Sequence, residues 1–159
     1  MQNEPISPSS TTRPYHGLAI YIKHALAISQ VSFYRSTQME AICLTISKNE
    51  IKQQLVFLYR MHTANKAEFL RQITSNYNTR DRSFPLTIMG DFNYDISNNR
   101  NNTITTHIEN SLLLQQIQHE YTTNNTIIDL VFTDYQNAST STIDSVFSDH
   151  KLIYLSLPV

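Results

Sequence analysis

Glycine is nearly absent from this sequence, with two residues, Gly17 and Gly90, in a chain of 159. Phosphate-binding loops of the P-loop and dinucleotide kinds need several glycines within a few residues, so the sequence contains neither. Cysteine is scarcer still, because Cys43 stands alone. A single cysteine can form neither an internal disulfide nor a cysteine zinc site, and it favours a reducing compartment.

The chain also lacks an excess of charge of either sign, with 12 lysines and arginines against 13 aspartates and glutamates. This balance excludes a broad basic surface that grips nucleic acid by counterion release alone, so any such contact must come from local clusters. No apolar run is long enough to span a bilayer, and the polar N-terminus lacks the apolar centre of a secretory signal. We therefore expect an intracellular protein of the nucleus or cytoplasm, neither secreted nor bound to a membrane.

The residues that are present suit one globular domain. Hydrophobic residues make up 40% of the chain and charged residues 16%, which is enough to bury a single core and argues against wholesale disorder. Residues 1–15 are polar and rich in Pro, Ser and Thr, which predicts a flexible N-terminal segment. Residues 16–159 are expected to form the domain.

Apolar alternation predicts more strands than helices. One helix is expected after Asn65, which can cap it with Glu68 three residues on, and another from Thr106, with Glu109 in the capping-box position, to about His119. Strands are expected at 18–22, 31–34, 41–46, 54–59, 86–89, 127–132 and 152–157, and loops at 97–106 and 136–142. This pattern favours an α+β sandwich over a doubly wound parallel sheet.

Asp91 and Asn93 follow the apolar strand 86–89. In extended backbone their side chains leave on the same side while Phe92 points to the core, and Gly90 leaves room for a ligand or backbone to approach. A carboxylate beside a carboxamide suits phosphoester hydrolysis, because the carboxylate can take a proton from water and the amide can donate to a phosphate oxygen. The alternative is a polar turn that closes the strand.

Asp129 lies inside the apolar run 127–132, where a lone carboxylate needs a partner. Ser148-Asp149-His150 precedes the last strand and offers His150 as that partner, and such a pair fixes the imidazole tautomer. Asp149 then remains able to bind a hard cation. The alternatives are a structural hydrogen bond from Asp129 to nearby backbone and a solvated Asp–His pair on the surface.

Tyr59 ends the strand 54–59 and Arg60 follows it, and both side chains can donate to phosphate oxygens. An aromatic at the edge of the core is the alternative interpretation of Tyr59. The remaining histidines lack zinc-site spacing and are predicted to be surface or filler residues. They are His16, His24, His62, His107 and His119.

Taken in order, these segments resemble the successive motifs of the endonuclease/exonuclease/phosphatase superfamily, the DNase-I-like, magnesium-dependent phosphodiester hydrolases. The segments are Tyr59-Arg60, Gly90-Asp91-Phe92-Asn93, Ile128-Asp129-Leu130-Val131-Phe132-Thr133 and Ser148-Asp149-His150. They look most like the endonuclease domains of non-LTR retrotransposons and related mobile elements, whose glycine-led strand resembles residues 16–22. The resemblance covers roughly residues 16–157.

The resemblance implies a four-layer α/β/β/α sandwich with its site at the rim between two sheets. It also implies a Mg²⁺ cofactor, with Mn²⁺ as a substitute, and DNA as the substrate. In the roles that the resemblance implies, Asp91 orients or deprotonates the attacking water, and the phosphate is held by Asn93, Tyr59 and Arg60. Asp149, helped by Asp91, binds the metal. His150 stabilises the phosphoryl transition state, and Asp129 orients His150.

The sequence departs from the family pattern in two places. Met61 and His62 follow Tyr59-Arg60, where members of the retroelement type have prolines. The family's first two strands, which supply an asparagine and a magnesium-binding glutamate, have no counterpart ahead of Gly17, and neither Asn3-Glu4 nor Glu40 maps onto them. We therefore expect a domain that lacks its first strands.

Three functions remain open on these residues. The first is a magnesium-dependent DNA endonuclease of mobile-element origin. The second is a catalytically silent remnant that folds and binds nucleic acid or protein, and the third is a phosphoesterase acting on a phosphoinositide or another small phosphoester. The sequence leaves the oligomeric state undetermined.

Overall fold

A computed structural model describes residues 5–6, 18–23, 26–48, 51–78, 80–98 and 103–157. The strands are β1 (Pro5–Ile6), β2 (Ile20–Tyr21), β3 (Ala27–Arg35), β4 (Met39–Lys48), β5 (Ile51–Arg60), β6 (Leu86–Asp91), β7 (Gln115–Gln116), β8 (Asp129–Thr133), β9 (Ser139–Ile143) and β10 (Leu152–Ser156). The helices are α1 (Lys66–Tyr77) and α2 (Thr103–Leu112). Gly17 and most of the predicted N-terminal segment lie outside the described residues.

Six strands form the central sheet, in the order β3-β4-β5-β6-β8-β7. The β5–β6 pair is parallel and the others are antiparallel, because α1 carries the chain from the end of β5 back to the start of β6. Both helices lie on one face of this sheet and bury its larger apolar core. Its largest fully buried side chains include Phe69, Ile73, Phe92, Ile104, Ile108 and Phe132.

The other face of the sheet carries a second apolar layer that ends at a polar rim. Cross-strand pairing aligns one row of apolar side chains, because directly paired residues point to the same face. The row is Phe33, Ile42, Phe57, Met89 and Val131. Ile20 of β2 packs on this side against Ile42, Leu44 and Ile46. Two residues further along each strand, towards the rim, the aligned side chains become polar.

The remaining strands form two small sheets, β1–β2 and β9–β10. The β9–β10 hairpin presents Ile143, Leu152 and Tyr154 to solvent, and the loop between its strands exposes Val146 and Phe147. The described residues therefore form a helical layer, the six-stranded central sheet and two separate two-stranded sheets. This arrangement confirms the predicted α+β sandwich.

Helix α1 begins as predicted, since the Asn65 side chain accepts a hydrogen bond of 3.1 Å from the backbone N–H of Glu68. Helix α2 differs: it begins at Thr103 rather than Thr106 and ends at Leu112. Glu109 does not close a capping box but accepts from the backbone N–H of Gln116 at 3.1 Å.

Two other boundaries were wrong. The predicted loop at 136–142 contains β9, whose Ser and Thr residues give no apolar alternation but pair with the apolar β10. The predicted strand at 18–22 is reduced to β2. Among the described residues, no helix has both the length and the apolar character needed to cross a membrane.

Candidate active site

Three of the predicted site residues lie side by side on the rim of the central sheet. Tyr59 pairs with Asp91 across β5 and β6, and Asp91 pairs with Asp129 across β6 and β8. Paired residues point to the same face, so all three side chains lie on the face opposite the helices. Sequence positions up to 70 residues apart, from 59 to 129, therefore meet because the strands that carry them are neighbours.

His150 joins this row from the segment that enters β10. Its Nδ1 lies 2.8 Å from Oδ2 of Asp129, so the expected pairing is present in the structure. Ligand atoms of Asp91, Asp129 and His150 all lie within 4.8 Å of one another. Asp149 and His150 lie in the loop before β10, so the alternation of side chains along a strand does not constrain them.

The electrostatics of the cluster follow from partial burial and from its own charges. Burial raises the pKa of Asp91. The hydrogen bond from the Asn93 N–H opposes that rise, as do the charges of His150 and His62, whereas the charge of Asp129 adds to it. The net pKa of Asp91 is above its ordinary value. Burial lowers the pKa of His150, but the hydrogen bond and charge of Asp129, with the charge of Asp91, outweigh it and raise the net pKa. Asp91 and His150 thus hold their protons more tightly than isolated side chains of the same kind do.

Asn93 sits in a left-handed backbone conformation, with φ of 46°, directly after the strand. Its backbone N–H donates to Oδ1 of Asp91 at 2.7 Å, and its side-chain Nδ2 donates to the carbonyl of Arg60 at 2.6 Å. Asparagine tolerates this conformation better than most residues do. The turn therefore holds the Asp91 carboxylate and ties β6 to the end of β5.

Arg60 does not lie on the site face, and its predicted phosphate contact is wrong. It is buried, and its guanidinium donates to the carbonyls of Asn93 at 3.2 Å and Ala64 at 2.7 Å. Alternate residues of a strand point to opposite faces, so Tyr59 on the site face sends Arg60 to the helix side. Burial lowers the pKa of Arg60, while the charges of Tyr94 and Asp91 oppose that change.

His62, predicted to be surface or filler, lies beside the site. Its ring packs edge-on against Tyr59 with 6.3 Å between ring centroids, and its charge lowers the pKa of Asp91. His62 is one of the two residues at which the sequence departs from the prolines of the family that it resembles. His107, by contrast, lies away from the site, between the two helices, where its ring contacts the hydroxyl of Thr74 at 2.9 Å.

Asp149, the predicted metal ligand, is exposed and stands apart from the three-residue cluster. It borders an open cleft of about 310 Å³ that also touches His150, Asp144 and Lys151. Its charge nevertheless raises the pKa of His150, so the two side chains are neighbours in space as well as in sequence. The charges of Asp91 and Asp149 thus both act on the imidazole.

These residues fit a hard divalent cation in their chemistry. Carboxylate oxygens are the donors that Mg²⁺ prefers, and a cation beside Asp91 would compensate the burial that raises its pKa. Asp129 is less suited to hold the cation, because its Oδ2 is committed to His150. With few carboxylates, the site favours weak binding in which water supplies most of the ligands.

Thr122 is a site residue that sequence reasoning missed. Its fully buried hydroxyl accepts from the backbone N–H groups of Ile128 and Asp129, each at 3.1 Å, and its carbonyl accepts from the N–H of Lys151 at 2.7 Å. One residue therefore fixes the backbone beside both members of the Asp129–His150 pair. No local pattern marks it, since Thr122 stands in a polar stretch that reads as an ordinary loop.

Replacing Thr122 with valine should destabilise the fold by about 2–4 kcal/mol, because two backbone N–H groups lose their acceptor in a dry environment. Thermal unfolding followed by circular dichroism measures this loss. Thr122→Ser keeps the hydroxyl and serves as the matched control, with a much smaller expected effect. Equal melting temperatures for the valine variant and the native protein would contradict the role assigned to the hydroxyl.

Comparison of the sequence with family models and with curated proteins gives no match. Solved structures do match the fold. The endonuclease domain of TRAS1, a telomere-specific non-LTR retrotransposon, is 16% identical, and the match covers 96% of this chain and 78% of that chain at a TM-score of 0.69.

Two further matches are a phosphatase and a catalytic domain with a bound anion. Mannosyl-6-phosphatase Bt3783 of Bacteroides thetaiotaomicron VPI-5482 is 16% identical over 90% of this chain and 71% of that chain, with a TM-score of 0.66. The human Nocturnin catalytic domain with a bound sulfate anion is 15% identical over 98% of this chain and 72% of that chain, with a TM-score of 0.60. The chain therefore has the DNase-I-like fold of the endonuclease/exonuclease/phosphatase proteins, as the order of its motifs predicted.

Proposed function

We propose that this protein is a metal-dependent phosphoester hydrolase and, more specifically, a DNA endonuclease of mobile-element origin. The observation that carries the proposal is the cluster of Asp91, Asp129 and His150, in which a 2.8 Å hydrogen bond joins the last two. The likeness to the TRAS1 endonuclease domain supports the finer part of the proposal, since that domain combines this fold with a mobile-element origin.

In the proposed reaction, Asp129 and His150 act together on the phosphoryl group. The carboxylate of Asp129 accepts the hydrogen bond from Nδ1–H of His150, which leaves Nε2 to face the substrate. Because the pKa of His150 is raised, the imidazole remains cationic at higher pH than usual. A cation or N–H donor placed there stabilises the negative charge that develops on the phosphoryl oxygens.

Asp91 is the proposed base. Its carboxylate is held by the N–H of Asn93 at 2.7 Å, and burial raises its pKa, which makes the ionised form a stronger base. The proposed phosphate donors are the phenol of Tyr59 and the second side-chain N–H of Asn93, the one not donated to the Arg60 carbonyl. A divalent cation held by Asp91 and Asp149 would supply further neutralisation of negative charge.

A small phosphoester is the second candidate substrate, because a sugar-phosphate phosphatase shares the fold. A silent remnant is the remaining alternative. Nicking of supercoiled plasmid and hydrolysis of bis(p-nitrophenyl) phosphate, each measured across a titration of Mg²⁺ and then of Mn²⁺, separate the three. Activity on the plasmid supports the endonuclease, whereas activity confined to the small diester supports the second candidate.

We expect slow plasmid nicking that rises into the millimolar range of Mg²⁺, since the site offers few carboxylates. Asp91→Ala is the control and should abolish it. Robust nicking at low Mg²⁺ would show that another residue supplies the ligand that the motifs lack. No hydrolysis of either substrate by the folded chain, with either metal, would contradict the proposal and favour the remnant.

A further inference from the structure

The row of site residues on the rim continues past Tyr59 to the edge of the sheet. Tyr59 pairs with Glu40 across β5 and β4, and Glu40 pairs with Arg35 across β4 and β3. The register therefore places Arg35, Glu40, Tyr59, Asp91 and Asp129 in a single line across five neighbouring strands. All five side chains share the face on which His150 meets Asp129.

Glu40 is an unusual residue for this position, because its side chain is 5% exposed and yet carries a carboxylate. Its Oε1 accepts from Nε of Arg35 at 2.6 Å and lies 2.5 Å from Nη2, whereas Oε2 has no hydrogen-bond partner in the part of the chain that the structure describes. Arg35 lies beside Glu40 on the neighbouring strand, and its side chain is 39% exposed. The buried carboxylate thus fixes the plane of a guanidinium whose outer side faces solvent.

We propose that Arg35, oriented by Glu40, is a second phosphate-binding residue and that the substrate is a DNA strand extending along the row. This inference rests on the proposed function, because it assigns a substrate to the same site. Arginine presents a rigid fork of donors that suits phosphate, and the buried partner restricts its rotamers before substrate arrives. The sequence motifs do not identify this residue.

The length of the row favours a polymeric substrate over a small phosphoester. Arg35 stands three strands from Asp91, which is about 14 Å at the usual spacing between strands. That distance corresponds to a rise of about four nucleotides in one strand of duplex DNA. A small phosphoester bound at Asp91 cannot reach Arg35, so the guanidinium contributes only when the substrate is extended.

The pairing also predicts effects of opposite sign at the two residues. Because Glu40 cancels the charge of Arg35, Glu40→Gln leaves the guanidinium uncompensated and should strengthen DNA binding. Arg35→Gln should weaken it. The double variant Arg35→Gln/Glu40→Gln removes both charges without leaving a buried carboxylate unpaired, so it should bind DNA more weakly than the native protein but less weakly than Arg35→Gln. A purely structural ion pair would instead weaken binding in both single variants through loss of folded protein.

The test is fluorescence anisotropy with a labelled DNA duplex of the full chain in chelator, repeated over a series of salt concentrations. We expect the double variant to lose about three- to fivefold in affinity, the size of a half-exposed charge interaction, with little change in the slope of log K against log salt, because the net charge of the pair is unchanged. Glu40→Gln adds one net positive charge and should steepen that slope by about 1, and thermal melting verifies that each variant is folded.

Unchanged affinity of the folded double variant would overturn the assignment of Arg35. Weaker binding or an unchanged salt slope in Glu40→Gln, with its melting temperature retained, would contradict the compensation of the Arg35 charge by Glu40. The failure of the proposed function has a different signature, because it appears as a native protein that hydrolyses neither substrate whatever its affinity for DNA. Measurable hydrolysis of the small diester without any binding of DNA would overturn the extended substrate alone.

Discussion

Asp129→Asn should lower the rate of hydrolysis by about 10²–10⁴-fold while leaving the fold intact, because the substitution keeps the volume but removes control of the His150 tautomer. In the native protein the carboxylate accepts from Nδ1 of His150 at 2.8 Å, which leaves Nε2 towards the substrate. The amide of asparagine can donate to Nδ1 instead and stabilise the wrong tautomer. Rates on plasmid and on bis(p-nitrophenyl) phosphate measure the loss.

Asp81→Asn is the matched control, since Asp81 is exposed in the loop that leads into the opposite end of β6. It should leave both rates unchanged. A folded Asp129→Asn variant with the native rate would show that the pair is structural rather than catalytic.

The stability of the Asp129→Asn variant should also depend on pH differently from that of the native protein. Asp129 supports a raised pKa for His150 in the native fold, so the pKa should fall in Asp129→Asn, as NMR titration of the metal-free protein would detect. A raised folded-state pKa contributes stability that is fully present below the unfolded value, about 6.5, and lost as the pH rises through the folded value. The native protein should therefore exceed the variant in stability by more at about pH 5.5 than at about pH 8. A difference independent of pH would contradict the charge interaction.

Gly90→Ala should prevent folding. Gly90 pairs with Leu58 across the parallel β5–β6 ladder, and a Cβ at this position would overlap the Leu58 carbonyl oxygen. Its φ of +141° is also a conformation that residues with side chains rarely adopt. Backbone cannot move aside as the tip of a flexible side chain can, so the loss should exceed about 4 kcal/mol, much of the stability of an ordinary domain.

Soluble yield and the circular dichroism spectrum of the purified chain measure this effect. Met89→Leu, one residue earlier in β6, is the control, and a volume-conserving exchange there should cost less than about 1.5 kcal/mol. A Gly90→Ala variant that melts within a few degrees of the native protein would contradict the close approach. It would also remove the reason for glycine directly before Asp91.

Local patterns in the sequence identified most of the strands and the start of α1. The Asn65 cap depends on residues three apart, and the apolar alternation of β4 and β5 depends on which side each residue faces, so neighbouring residues carry both signals. These local patterns failed where an element depends on a contact with a segment that is distant in the sequence. Strand β9 is made of Ser and Thr residues apart from Ile143 and forms because β10 pairs with it, and α2 ends where its chain turns to begin β7.

The candidate site divides in the same way. The sequence by itself predicted which side chains form the cluster. Asp91 follows directly after an apolar strand, and a carboxylate inside an apolar strand, Asp129, demands a partner such as His150 wherever that partner lies in the chain. Only the tertiary structure decided how these groups are arranged, since register is a property of paired strands. It sent Arg60 to the helix side, used Thr122 to hold the backbone beside Asp129, and aligned Arg35 and Glu40 with Tyr59. Strand pairing between distant segments sets these positions, and no single segment encodes it.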